Sequence, residues 1–103
     1  MTTILLACAA GMSTSLLVTK MEKAAQDQGL KSKIYAVSVA EVDKELSENT
    51  IDVVLLGPQV RYEEGNLKKK LEPLGIPLSV INMQDYGMMN GVKVLQTALD
   101  LIQ

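Results

Sequence analysis

The sequence has no histidine, no tryptophan, no phenylalanine and a single cysteine. Without histidine there is no imidazole acid–base catalysis, no Ser–His or Cys–His nucleophile pair and no His-ligated metal. One cysteine excludes an intrachain disulfide and a thiolate metal cluster. With three tyrosines as the only aromatics, the core must be aliphatic. Positive charge is scarce too: 10 Lys and Arg stand against 12 Asp and Glu, a net charge of −2. A generic nucleic-acid binder needs a basic face, so no nucleic-acid partner is expected. No apolar run approaches the ~18 residues of a membrane span. Leu5-Leu6-Ala7-Cys8 loosely resembles the end of a lipoprotein signal, but it lacks the basic start and the long apolar middle. The expectation is a cytoplasmic protein without membrane insertion, with no metal and no cofactor.

Apolar residues make up 48% of the 103, enough for one domain spanning 1–103. The pattern predicts strands at Thr3–Ala7, Lys33–Val37, Ile51–Leu56 and Leu78–Ile81. Leu17, Met21, Ala24 and Ala25 recur at helical spacing, and Gly29 suits the stop. Ser38-Val39-Ala40-Glu41 has the form of a capping box before a short helix with Val42 and Leu46 on its apolar face. Val60, Leu67 and Leu71 mark a third helix, weakened by Gly65. Val92, Leu95, Leu99 and Ile102 mark the last, whose start lies open between Asp85 and Asn90. The order β-α-β-α-β-α-β-α predicts an α/β fold: a four-stranded parallel open sheet with helices on both faces. In such sheets ligands bind beyond the carboxyl ends of the strands.

Cys8 stands at the carboxyl end of the first strand. After it come Ala9, Ala10, Gly11, Met12, Ser13, Thr14 and Ser15, a small, flexible segment that opens a helix. Such a backbone can turn several N–H groups inward as an anion cradle, with hydroxyls to add donors or cap the helix. A nucleophile therefore sits beside a phosphate-binding loop. From Met1 to Thr19 the only ionisable side chain is Cys8. Against the tyrosine-phosphatase pattern C-x5-R-[ST], Thr14 takes the Arg position and Ser15 the hydroxyl position. The missing Arg weakens transition-state stabilisation for hydrolysis and suits a loop that holds a phosphoryl group and passes it on. The loops after the other strands supply a possible rim: Gly57, Pro58 and Gln59, then Asp85 and Tyr86.

Bland readings compete. Cys8 alone would more often be structural, and Ser13-Thr14-Ser15 alone would be a helix cap. Lys68-Lys69-Lys70 suits a solvated helix face. Met83, Met88 and Met89 suit gap-filling or adaptable contacts. Two other functions remain open: a small Cys-dependent phosphatase with Asp85 as acid, and a non-enzymatic domain binding anions or partners through the same loop.

Three motifs carry a family resemblance: C-A-A-G-M-S-T-S-L-L-V at Cys8–Val18, V-V-L-L-G-P-Q at Val53–Gln59, and Y-G-x-x-N-G at Tyr86–Gly91. The chain resembles, over its whole length, the enzyme IIB components of the bacterial phosphoenolpyruvate-dependent sugar phosphotransferase system, lactose/cellobiose/chitobiose family. The resemblance implies a four-stranded parallel sheet with a phosphatase-like phosphate loop after the first strand. It implies that Cys8 accepts a phosphoryl group from phosphohistidine of an enzyme IIA partner. Cys8 then passes it to a sugar held by the membrane permease, enzyme IIC. The imidazole step would belong to another protein, which agrees with the absence of His here.

Overall fold

The computed structural model describes residues 1–9 and 12–102, with Met12 and Ser13 described by backbone alone. In chain order the elements are β1 (Thr2–Cys8), α1 (Met12–Asp27), β2 (Ser32–Ser38), α2 (Val42–Glu48), β3 (Val53–Leu56), α3 (Glu64–Leu71), β4 (Leu78–Val80), α4 (Met83–Gly87) and α5 (Gly91–Ile102). Tight 3₁₀ turns occupy Val39–Glu41, Pro58–Glu63 and Glu72–Leu74. The strands are all parallel, in the order β2-β1-β3-β4.

The central strand, β1, needs apolar residues on both faces, and it has them. Ile4 and Leu6 point into one core with Leu17 and Met21 of α1 and Val94, Leu95 and Ala98 of α5. Leu5 and Ala7 point into the other, with Val42 of α2 and Leu67 and Leu71 of α3. β3 alternates likewise, Val53 and Leu55 to the first core, Val54 and Leu56 to the second. The predicted helices on both faces are therefore present.

Most boundaries agree with the sequence pattern. At the end of α1, Gly29 takes φ +68°, and Leu30 N–H returns to Ala25 O at 2.9 Å. That closes the helix in the predicted left-handed turn. β3 starts two residues later than the apolar run suggests. Asp52 breaks the ladder there: its carboxylate accepts the Thr3 N–H at 2.7 Å while its own N–H donates to Thr3 O at 3.0 Å. Val60 belongs to the turn before α3 rather than to the helix itself. The last apolar helix starts at Gly91, with the Asn90 side chain accepting from Lys93 N–H at 3.1 Å. Asp85 lies instead in the separate short helix α4.

α1 and α5 meet at Gly91, which is buried. A Cβ there would fall 2.5 Å from the Lys20 carbonyl carbon and 2.7 Å from Met21 N. The crossing is backbone against backbone, so nothing flexible can yield. Gly91→Ala is therefore expected to destabilise the protein by about 1–3 kcal/mol, the range for overpacking a filled contact. Urea unfolding checks it; an unchanged midpoint would contradict this helix crossing.

On the other face, Tyr35 of β2 donates its hydroxyl to Glu45 Oε1 at 2.7 Å, and Asn49 Nδ2 donates to the same oxygen at 3.1 Å. Burial first, then the hydrogen bond and negative charge of Glu45, raise the Tyr35 phenol from 10.0 to about 12. The folded chain thus holds this proton more tightly than the unfolded chain. Its contribution to stability is intact below pH 10.0 and is lost as the pH climbs to about 12. Ultraviolet titration should show a late-ionising phenol that Tyr35→Phe removes. The same substitution should cost about 1 kcal/mol at neutral pH.

Candidate active site

Cys8 is the last residue of β1 and stands in register with Ser38, the last residue of β2. Its side chain is 3% exposed. The Val37 carbonyl and the Thr14 hydroxyl both reach the sulfur. The thiol donates to Val37 O at 3.7 Å, and Thr14 Oγ1 lies 3.2 Å from Sγ. When the thiol proton points at Val37, the Thr14 hydroxyl is the donor to sulfur. Thr14 is fully buried in the first turns of α1. The helix therefore brings the hydroxyl six residues along the chain back onto the nucleophile.

The structure places the other sequence-predicted residues as follows. Ala9 is exposed beyond the strand end. Ala10 and Gly11 lie outside the described residues, as do the side chains of Met12 and Ser13, whose backbone opens α1. Ser15 is exposed, and its carbonyl accepts the Thr19 hydroxyl at 3.2 Å. Gly57 lies against Cys8: its N–H donates to Ala7 O at 2.8 Å. Pro58 begins the following turn, where a missing N–H costs nothing. Gln59 is exposed on the same turn. Asp85 is half-buried, its N–H held by Asn82 Oδ1 at 3.1 Å. Tyr86 packs into the α1/α5 core beside Ile81 and Val94.

The site thus joins Cys8, Thr14, Gly57 and the Val37 carbonyl. Sequence reading missed Val37 because a backbone acceptor on a neighbouring strand leaves no side-chain signature. It also separated Ser38 from the site, treating it only as a cap. The Glu41 carboxylate does accept from the Ser38 N–H at 3.4 Å and from its hydroxyl at 3.0 Å, beside the strand end that carries Cys8. A larger cleft of about 490 Å³ opens between α2 and α3, where Lys70 and Asp43 pair at 3.0 Å. Its walls include none of the predicted site residues. The chemistry points to the strand end, because that is where the nucleophile is.

A family model described as "PTS system, Lactose/Cellobiose specific IIB subunit" matches residues 3–97. The chain is 55% identical over 102 residues to the PTS system cellobiose-specific EIIB component of Lactococcus lactis subsp. lactis, covering 96% of this chain and 94% of that protein. It is 54% identical over 102 residues, with the same coverage, to the PTS system galactose-specific EIIB component of Lactococcus lactis subsp. cremoris. The solution structure of a cellobiose-specific phosphotransferase IIB component from Borrelia burgdorferi matches with a TM-score of 0.80 at 42% identity, covering 98% of this chain and 91% of that one.

The Cys8–Thr14 contact can be measured as an energy. Thr14→Val keeps the shape and removes the hydroxyl from a buried site, so it is expected to cost about 1–2 kcal/mol. In a double-mutant cycle with Cys8→Ala, the two should couple by roughly 1 kcal/mol. Additive losses would show that the hydroxyl stabilises something other than the sulfur.

Proposed function

The chain belongs to the lactose/cellobiose-specific IIB family of the sugar phosphotransferase system, and on that premise we propose that Cys8 is its phosphoryl carrier. The supporting observation is the placement of a lone cysteine at the carboxyl end of the central strand, with the Thr14 hydroxyl 3.2 Å from its sulfur. Family members are sugar phosphotransferase components that work with IIA and IIC partners. In the proposed relay, the Cys8 sulfur attacks phosphorus on a phosphohistidine of IIA. The N–P bond breaks as the S–P bond forms, and the thiol proton goes to the departing imidazole nitrogen.

In the second step a sugar hydroxyl held by IIC attacks the same phosphorus. The S–P bond breaks, and sulfur leaves with the electron pair as a thiolate. That leaving group needs no general acid, and a base for the sugar proton can come from the permease. Residues Ala9 to Ser15 would cradle the phosphoryl oxygens through backbone N–H groups and hydroxyls. Gly57, Pro58, Gln59 and Asp85 would form the rim, without Tyr86, whose ring lies in the α1/α5 core. Because the partners are a IIA protein and a membrane permease, the relay would run at the cytoplasmic side.

The sugar we propose is a β-linked disaccharide such as cellobiose, chitobiose or lactose. Relatives named for cellobiose and for galactose are 55% and 54% identical to this chain. Near-equal likeness to two sugar specificities fits a carrier that handles only the phosphoryl group, with the sugar chosen by the permease.

Mixing the protein with a phosphorylated IIA partner and locating the label by mass spectrometry tests the reading. The phosphoryl group is expected on Cys8, labile to acid, and Cys8→Ser should lose onward transfer to sugar. Turnover of a free phosphate ester should be close to background, since no Arg occupies the loop. Label on Thr14 or Ser15 instead of Cys8 would sink the assignment.

A further inference from the structure

Nothing in the backbone at Gly57 calls for glycine. Its φ of −62° and ψ of 143° are open to any L-residue. A Cβ built there would lie 3.5 Å from Ala7 O, from Cys8 Cβ and from Gln59 Oε1, which is ordinary contact without a clash. Alanine would fit, and glycine gives up more chain entropy on folding than alanine does. Bare backbone in such a place is characteristic of sites where a ligand must approach closely.

The three contacts also locate Gln59. Its Oε1 and the Cys8 Cβ both stand 3.5 Å from the place a Gly57 Cβ would take. Gly57 is buried and Gln59 is exposed, and the Gln59 carboxamide has its Oε1 beside Gly57. Meanwhile, Thr14 holds the position where a phosphatase loop carries its Arg. The chain's one arginine, Arg61, is exposed farther along the turn that carries Gln59. On the turn after β3, Gln59 is the side chain with N–H groups whose terminal atoms stand beside Gly57.

Resting on the carrier reading of Cys8, we infer that Gln59 directly contacts the transferring phosphoryl group, reaching it across the bare backbone of Gly57. Its carboxamide, whose Oε1 stands beside Gly57, turns over so that Nε2 donates to one phosphoryl oxygen as the N–P bond of the donor breaks and the S–P bond to Cys8 forms. The thiol proton goes to the departing imidazole, and Gln59 gives and takes none. Charge in such a transfer spreads over the three equatorial oxygens, so one more donor aimed at them lowers the barrier. A neutral amide also holds the loaded cysteine less firmly than a guanidinium would. The group can then move on.

The test is single-turnover transfer from a phosphohistidine-bearing IIA protein, followed with phosphorus NMR of the loaded cysteine and with thermal unfolding. Gln59→Leu removes the donors from an exposed side chain and should leave Tm unchanged. Transfer is expected to slow by roughly 10-fold or more, given the cost of losing one such donor, and the phosphorus resonance should move. Gln59→Glu, which turns a carboxylate toward the phosphoryl oxygens, should slow it further. Gly57→Ala should keep its Tm but slow transfer, because its methyl holds the carboxamide off the phosphoryl group. A Gln59→Leu protein that transfers at the parent's rate, with an unmoved phosphorus resonance, overturns the assignment. If the parent itself takes no label on Cys8, the carrier reading falls, and this inference falls with it.

Discussion

β1 has water on neither face. Ile4 and Leu6 require α1 and α5, Leu5 and Ala7 require α2 and α3, and every other element is placed by one of those two demands. A strand enclosed this way can do polar work only at its ends. Its carboxyl end is also where the chain crosses over to α1, so the one cysteine meets a helix start by topology alone. The Gly91 crossing then sets where α1 lies along the sheet. Its contact at Lys20–Met21 is under two turns from Thr14, which limits how far the hydroxyl can slide from the sulfur.

Along the chain itself, charge is sparse around Cys8. Cys8 is the first ionisable side chain, and Lys20 is the next. Beside the sulfur lie the Thr14 hydroxyl and the Val37 carbonyl, both neutral. Dipoles of this kind can receive a phosphoryl group without gripping it as a fixed cation would.

The sheet and both helix layers were legible because apolar periodicity is strong in an aliphatic chain: β1 and β3 have no polar interruption, and Leu17, Met21, Ala24 and Ala25 keep helical spacing. What escaped depended on single polar atoms. β3 starts late because the Asp52 carboxylate substitutes for a strand carbonyl in accepting the Thr3 N–H. Two helices replace one near the C-terminus because Asn82 and Asn90 each cap a start, and Met89 takes φ 53° between them. At the site, Cys8 was plain from its position after a buried strand, and Thr14 from its spacing. The Val37 carbonyl could be found only once the register of β2 on β1 was known. Tyr86 was assigned to the rim by its loop position; the α4 register that turns its ring into the core is not visible in periodicity over five residues.

The strand order leaves β2 and β4 as the outer strands, and each outer edge is an invitation to another chain. β4 offers only three residues, introduced by Pro77, which has no N–H to give. β2 is longer, but it carries the exposed Lys33, whose ammonium rests 5.1 Å from the centre of the Tyr35 ring. A charged side chain on an outer strand disfavours docking of another chain, because its ammonium must stay hydrated. The parallel sheet therefore resists growing by edge-to-edge aggregation, by brevity and proline on one side and by a lysine on the other.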